Sequence, residues 1–179
     1  HNVLNTTAAL LAGAALGVGL PEMAAGLASF TGTARRFEER GRVGSRRLFD
    51  DYAHHPTEVA AALRQARVVA GAGGVTVVFQ PHLYSRTRIF AERFAHALAG
   101  ADHVVLAGIY GAREDPEPGV DSTLISSRVP GASYVEDMHE AARLAASVTP
   151  EGGVCVTMGA GSITRCGDDV LEEWKRMEA

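Results

Sequence analysis

The residues from Asp50 to Glu58 read Asp-Asp-Tyr-Ala-His-His-Pro-Thr-Glu and bring several titratable side chains close together. Carboxylates accept hydrogen bonds, and imidazoles donate or accept them, so this composition suits ligand binding. Pro56 stands where the first helical position should fall, because its fixed φ suits a helix start and its missing N–H costs nothing there. The stretch is therefore expected in a turn from a strand into a helix. In an open parallel sheet such turns lie at the carboxyl edge, where ligands bind.

Simpler interpretations of this stretch remain open. Asp50 and Asp51 could cap the following helix, since carboxylates accept its first N–H groups and suit its dipole. The paired histidines could lie on the surface. A metal site built from His54, His55 and Glu58 is disfavoured, because adjacent residues in a turn rarely converge on one ion and no cysteine joins them. The other histidines considered are expected to be surface or packing residues: His96, His103 and His139.

Two further pairs of polar residues could contact a nucleotide. Asn2 and Asn5 are three residues apart and share one helix face. An Asn amide offers a donor beside an acceptor and so matches an adenine edge, although from the residues alone a helix cap is the preferred interpretation of Asn2. Arg35 and Arg36 suit phosphate, because a guanidinium binds it bidentately and stays charged. A solvated hinge is the alternative for this arginine pair.

The sequence Gly159-Ala160-Gly161 resembles part of a dinucleotide-binding fingerprint, but its context argues against that interpretation. The fingerprint belongs after the first strand of a βαβ unit, with an acidic residue about 20 positions further on. Here the sequence ends before another strand could form. A tight turn that lets a strand and a helix pack closely is therefore the preferred interpretation.

The pattern of apolar residues predicts which elements position these groups. Helices are expected over 1–19 and 21–30, followed by a linker over 31–39. Apolar and β-branched runs then predict strands at Leu48–Phe49, Val75–Phe79, His103–Ala107, Tyr134–Val135 and Val154–Met158. Amphipathic segments between these strands predict helices. Strands that alternate with helices at this spacing predict a doubly wound, mostly parallel α/β sheet.

Composition limits the class of protein. A chain of 179 residues with 46% hydrophobic residues can bury about 70% of its unfolded surface, which suits one core plus an appendage. The net charge of −4 argues against a general nucleic-acid binder. The apolar run Ala8–Leu20 is shorter than the roughly 20 residues of a bilayer span, and no basic region precedes it. No membrane partner is therefore expected. Cys155 and Cys166 fit no disulfide framework, which indicates a reducing compartment, so a cytoplasmic protein is expected.

Several segments together resemble the Mur ligases, in order and in spacing. The two most specific are Asp50–Glu58 and Gln80–Thr87, which resemble the branch of the family that adds L-alanine to UDP-N-acetylmuramate. The others are His1–Asn5, Arg35–Glu38 and Thr157–Gly161. The resemblance implies an ATP-dependent ligase of peptidoglycan synthesis that works through an acyl phosphate. It also implies that residues 1–34 are the last helices of a central ATP-binding domain and residues 35–179 a C-terminal amino-acid-binding domain.

The resemblance assigns roles to individual residues. Asp51 would bind the ribose hydroxyls, Arg36 the phosphates of ATP, and Arg86 the alanine carboxylate. The adenine end of the ATP site would include His1, Asn2 and Asn5. The walls of the alanine pocket would be Tyr52, His54 and His82.

The groups that activate ATP would lie elsewhere in the ligase. No Gly-x-x-x-x-Gly-Lys-Ser/Thr phosphate loop occurs in this sequence. The catalytic lysine and the Mg²⁺ ligands are therefore expected in the remainder of the enzyme, so no residue here is assigned a catalytic role. We expect the chain alone to be inactive and to pack against the other domains of its ligase.

The sequence departs from the family pattern at three positions. Leu83 stands where many members carry an arginine that helps to bind the alanine carboxylate, so either Arg86 acts alone here or Arg88 substitutes. Gly108 and Ser162 replace common aspartates. The ligase that adds a diamino acid is excluded, because it carries Asp-Asn-Pro-Arg where this chain has Gly108–Gly111. A murein-peptide recycling ligase of the same family and a non-catalytic ligase-like binding module remain alternatives.

Overall fold

The chain divides into two units in a computed structural model, one ending at Thr33 and the other spanning Ala34–Ala179. The structure describes residues 2–179; His1 and the side chain of Asn2 lie outside the described part. Among the described residues, no helix has both the length and the apolar character needed to cross a membrane.

The first unit consists of two helices, α1 (Asn2–Ala15) and α2 (Leu20–Ser29). Both were predicted, and Pro21 lies in the first turn of α2 as expected. No residue of α2 is buried. Several large apolar side chains of this unit remain exposed, including Val3, Leu4, Leu11 and Leu20. The two helices therefore do not enclose a hydrophobic core within the described residues.

The second unit is built on a six-stranded sheet with the order β1-β2-β6-β3-β4-β5. The strands are β1 (Glu38–Val43), β2 (Arg46–Asp51), β3 (Val75–Phe79), β4 (His103–Leu106), β5 (Ser133–Tyr134) and β6 (Val154–Met158). All neighbouring strands are parallel except β1 and β2, which are antiparallel. The predicted doubly wound, mostly parallel sheet is confirmed.

The antiparallel edge strand β1 was not predicted, and the expectation of a linker reaching residue 39 is wrong. The sequence of β1, Glu-Glu-Arg-Gly-Arg-Val, is mostly charged, whereas a half-buried strand would have an apolar residue at every second position. Such charges are typical of an edge strand, which they protect from pairing with another chain. Gly44 allows the tight connection to β2, because its φ of +54° lies in the left-handed region that glycine tolerates.

Helices cover both faces of the sheet, as β3 illustrates. Val77 and Phe79 belong to one hydrophobic cluster and Val78 to the other, because successive side chains of a strand point to opposite faces. Phe94 lies in the first cluster and Trp174 in the second. The helices of this unit are α3 (Pro56–Ala70), α4 (Tyr84–Leu98), α5 (Thr123–Ser126), α6 (Met138–Val148) and α7 (Gly167–Glu178), with a 3₁₀ helix at Ser162–Cys166 before α7.

The parallel strands end in register at one edge of the sheet. Asp51 at the end of β2 pairs with Met158 of β6, Met158 with Phe79 of β3, and Phe79 with Leu106 of β4. The loops that follow these strands therefore emerge side by side. This carboxyl edge is where the sequence predicted the ligand-binding residues.

Candidate functional site

The turn from β2 into α3 contributes the first residues of the site. The residue that caps α3 is not one of the two aspartates considered from the sequence. His55 is the N-cap of α3: its Nδ1 accepts a hydrogen bond from the Thr57 N–H at 3.4 Å. The carboxylate of Glu58 accepts from the His55 N–H at 3.2 Å, which completes a capping box. Asp50 and Asp51 lie within β2 instead. The interpretation of the acidic pair as helix caps is therefore wrong.

Asp51 shapes the end of β2. Its Oδ1 accepts a hydrogen bond from the Ala53 N–H at 2.7 Å, and its Oδ2 accepts from the Phe37 N–H at 2.8 Å. The residue is 7% exposed, and burial raises the pKa of its carboxyl above the usual value. A carboxylate has about four acceptor positions, so two backbone donors leave room for ligand hydroxyls. Its role toward ribose stays a prediction.

Asp50, which is fully buried, joins three segments of the edge. Its Oδ1 accepts from the hydroxyl of Thr157 at 2.7 Å, the residue opposite it on β6. Its Oδ2 accepts from Thr164 at 2.9 Å and from the Arg35 Nε at 3.2 Å. Arg35 also donates to the Gly159 carbonyl at 2.6 Å. This network was not foreseen from the sequence: residue type alone gave the two arginines of the pair the same role, and the family resemblance assigned a role to Arg36 only.

Arg36 differs from its neighbour because it is exposed. Its guanidinium carbon lies 5.6 Å from the centroid of the Tyr52 ring, and that of Arg35 lies 4.8 Å from the same ring. Arg36 makes no ion pair with the residues that the structure describes. Its charge is therefore accessible to an anion, whereas the charge of Arg35 is used inside the domain.

Four rings at the edge are successive neighbours, and we call them the aromatic row: Tyr52, His54, His82 and Tyr110. The centroids of successive rings are 5.2, 5.9 and 5.7 Å apart. The resemblance to the Mur ligases implied that Tyr52, His54 and His82 line one pocket. It did not single out Tyr110, which belongs to the long loop after β4.

His82 is the third ring of the aromatic row, between His54 and Tyr110, and is partly buried. Burial lowers the pKa of its imidazole, and the positive charge of Arg86 lowers it further. Its Nδ1 is buried and has no hydrogen-bond partner among residues 2–179. The ring is therefore favoured in its neutral form near pH 7.

We number the crossovers that follow the parallel strands: the first joins β2 to β3, the second β3 to β4 and the third β4 to β5. Arg86 connects the second crossover to the first. It lies in the first turn of α4, and its Nη1 donates to the His54 carbonyl at 3.3 Å. The preceding Leu83 is the N-cap of α4, has a φ of +73° and is 8% exposed. Its N–H donates to the Tyr110 carbonyl at 2.9 Å. The structure therefore brings Arg86 against the aromatic row, while the side chain of Leu83 is buried.

The turn after β6 packs closely against this edge, as the interpretation of a tight turn requires. A Cβ on Gly159 would lie 2.6 Å from the Gln80 carbonyl oxygen. A Cβ on Gly161 would lie 2.5 Å from the Gln80 Oε1 and 2.6 Å from the Tyr110 ring. The same Oε1 accepts a hydrogen bond from the Ile163 N–H at 3.0 Å. Both glycines are therefore needed for close packing.

The residues predicted at the adenine end of a nucleotide belong to the first unit. Asn5 is exposed on α1, and Asn2 is the first residue of that helix. His1 lies outside the described residues. Their predicted contacts with ATP stay predictions.

One group of side chains has the donor types of a metal site. Ligand atoms of His139, Cys166 and Asp169 lie within 4.8 Å of one another. The two oxygens of Asp169 already accept hydrogen bonds, from His139 at 2.7 Å and from Arg143 at 2.9 Å. Burial raises the pKa of the Cys166 thiol to about 12, so the thiol is protonated near neutral pH. We interpret the group as a polar contact between α6 and α7.

Comparison with known proteins places this geometry in a family. Residues 35–161 match the family described as "Mur ligase, glutamate ligase domain". A UDP-N-acetylmuramate–L-alanine ligase from Saccharopolyspora erythraea is 51% identical over 98% of this chain and 37% of its own length. One from Nocardioides is 48% identical over 96% of the chain and 39% of its own length. The chain thus spans less than two fifths of these relatives.

Solved structures show the same fold. The UDP-N-acetylmuramate-alanine ligase of Thermotoga maritima aligns with 99% of the chain and 38% of its own length, at a TM-score of 0.77 and 28% identity. A murein peptide ligase from Psychrobacter arcticus covers 97% of the chain and 37% of its own length, at a TM-score of 0.68 and 22% identity, which supports the fold alone. Because the family match covers most of its residues, this chain belongs to the Mur ligase family.

Proposed function

We propose that this chain is the C-terminal portion of an ATP-dependent ligase that joins L-alanine to UDP-N-acetylmuramate in peptidoglycan synthesis. The observation that carries the proposal is the position of Arg86, whose guanidinium reaches the β2–α3 turn beside the aromatic row. A guanidinium beside the rings of the aromatic row suits a small molecule that carries a carboxylate. The L-alanine ligases that match the chain at 48–51% identity support this choice of substrate.

The chemistry proceeds in two steps. The muramoyl carboxylate receives the γ-phosphoryl group of ATP, which yields an acyl phosphate and ADP. The amino group of alanine then attacks the acyl carbon, a C–N bond forms, the C–O bond to phosphate breaks, and the amine loses a proton. The residues of this chain contribute orientation and exclusion of water, because the acyl phosphate would otherwise hydrolyse.

Arg86 would bind the alanine carboxylate through charge-assisted hydrogen bonds. Tyr52 and His54 would bound the pocket on the side of β2, and His82 on the side of β3. Burial and Arg86 lower the pKa of His82, so its ring would serve as a neutral wall and leave the carboxylate to Arg86. Leu83 is buried, and one arginine in this turn would therefore do most of the binding.

Two residues of the second unit, Asp51 and Arg36, fit a nucleotide. Asp51 has acceptor positions left for the ribose hydroxyls, and the exposed Arg36 would reach the phosphates. Asn2 and Asn5, with His1, would contact the adenine end. The remainder of the ligase would contain the lysine that contacts the phosphates and the residues that bind Mg²⁺. Because ATP is a substrate, we propose that the ligase acts in the cytoplasm.

The direct test uses the full-length protein that contains this chain. ATP-dependent phosphate release is measured with UDP-N-acetylmuramate and one of two acceptors, L-alanine or the tripeptide that a murein-peptide ligase attaches. We expect turnover with L-alanine. Turnover with the tripeptide alone would contradict the proposal and favour the recycling ligase. The absence of turnover with either acceptor would contradict it in favour of a binding module.

A further inference from the structure

Tyr110 is fixed to the second crossover through its backbone on both sides of His82. Its N–H donates to the Pro81 carbonyl at 2.9 Å, and its carbonyl accepts from the Leu83 N–H at 2.9 Å. The two hydrogen bonds form a parallel bridge between His82 and Tyr110. The loop after β4 is therefore joined to the loop after β3 at the point where the aromatic row passes.

The ring of Tyr110 is also confined. It stacks on His82 with an interplanar angle of 25°. Gly161 approaches it so closely that a Cβ there would lie 2.6 Å from its Cγ and 2.8 Å from its Cβ. The residue nevertheless remains 40% exposed. The ring thus combines a fixed position with a surface that can contact a ligand.

We propose that Tyr110 closes the far end of the aromatic row and restricts the acceptor to a small amino acid. This inference rests on the proposed function and deepens it by naming a residue that determines specificity. The first crossover contributes Tyr52 and His54 to the row, the second contributes His82, and the third contributes Tyr110. A larger side chain bound beside His82 would meet the Tyr110 ring.

The magnitude of such selection follows from packing. One additional methylene in a pocket that does not fit it costs about 1–3 kcal/mol, or roughly 10- to 200-fold in kcat/KM. Removal of the ring should abolish much of this penalty. A residue that served stability alone would lower the use of all acceptors equally and would leave their ratio unchanged.

The experiment compares Tyr110→Ala and Tyr110→Phe in the full-length ligase, with L-alanine and L-valine as acceptors. For Tyr110→Ala we expect the ratio of kcat/KM for L-valine to that for L-alanine to rise at least about tenfold. The KM for L-alanine should also rise, while the KM for ATP should not change. Tyr110→Phe keeps the ring and should stay within about twofold of the wild type.

An unchanged acceptor ratio in Tyr110→Ala would overturn the inference while leaving the proposed function intact. If the wild type itself shows no turnover with L-alanine, the proposed function fails and the inference fails with it. Should Tyr110→Ala not fold, Tyr110→Leu retains apolar volume beside Gly161. It should shift the ratio in the same direction by a smaller factor, and an unchanged ratio there would again overturn the inference.

Discussion

The Arg35 Nε lies 3.2 Å from the Oδ2 of Asp50, a fully buried residue of β2. The same guanidinium donates to the Gly159 carbonyl, so one side chain joins the segment before β1 to the turn after β6. Its guanidinium carbon also lies over the Tyr52 ring. We infer that Arg35 positions the edge on which the proposed site depends.

Arg35→Ala should lower the free energy of unfolding by roughly 2–4 kcal/mol. Loss of one partner from a buried ion pair typically costs about 3–5 kcal/mol, because the other charge stays buried. The Arg35 side chain is 24% exposed, which reduces the expected cost. Urea unfolding of this chain would measure the change.

Arg36→Ala is the matched control for stability, because it removes the adjacent, exposed arginine. Its free energy of unfolding should stay within about 0.5 kcal/mol of the wild type. Equal effects of the two substitutions would contradict the separate roles given to Arg35 and Arg36.

Arg36→Ala should instead affect the nucleotide in the full-length ligase. Loss of a hydrogen bond to a charged group costs about 1.5–3 kcal/mol, so the KM for ATP should rise by roughly 10- to 100-fold. The KM for L-alanine should not change. Steady-state kinetics with each substrate varied in turn would measure both constants, and an unaltered KM for ATP would remove Arg36 from the proposed site.

Gly161→Ala should destabilise the chain by about 1–3 kcal/mol, the usual cost of overpacking a dense site. The new Cβ would lie 2.5 Å from the Gln80 Oε1 and 2.6 Å from the Tyr110 ring. Gly100→Ala is the control within the same unit, since the nearest atom to its Cβ is 3.4 Å away. Thermal or urea unfolding distinguishes the two, and similar stabilities would show that the turn can relax.

Asp102 should contribute a pH-dependent part of the stability. Its Oδ2 accepts hydrogen bonds from Arg67 and from the Val75 N–H, each at 2.7 Å. The bond from Arg67, first of all, lowers the pKa of the carboxyl below its usual 3.8. A lowered folded-state pKa stabilises the fold above the unfolded-state pKa, and this contribution disappears as the pH falls through the folded-state value.

Asp102→Asn should therefore cost up to about 1 kcal/mol at pH 7, a small effect because both side chains are largely solvated. The difference from the wild type should shrink as the pH falls below about 4. If the difference in the free energy of unfolding between Asp102→Asn and the wild type is the same, within the error of the fit, at every pH from about 3 to 7, the assignment is contradicted.

Much of the second unit could be predicted from local sequence. The β-branched runs at Val75–Phe79 and Val154–Met158 gave strands with the bounds that the structure shows, because strands buried on both faces are continuously apolar. The edge strand β1 lacks that signal, since its charged residues face solvent. Its pairing with β2 therefore became visible only in the structure.

The site was predictable where its groups are close in sequence and hidden where they are distant. Tyr52 and His54 share one turn, so their proximity was expected. Tyr110 meets His82 through a bridge between two loops that are far apart along the chain, and no local pattern indicates that contact. Likewise, Arg35 reaches Gly159 across 124 residues. The resemblance assigned the phosphates to Arg36, but the role of Arg35 became visible only in the assembled sheet edge.

The central claim is that Arg86 binds the carboxylate of the acceptor amino acid, and one kinetic comparison tests it. Arg86→Ala and Arg88→Ala are prepared in the full-length ligase, and the KM for L-alanine is measured for each. Arg88 is the matched control, because it lies on the same helix and pairs with Glu117. We predict that Arg86→Ala raises the KM for L-alanine by roughly 10- to 100-fold. The KM for L-alanine of Arg88→Ala, and the KM for ATP of both variants, should stay near the wild-type values. An unchanged KM for L-alanine in Arg86→Ala would contradict the account.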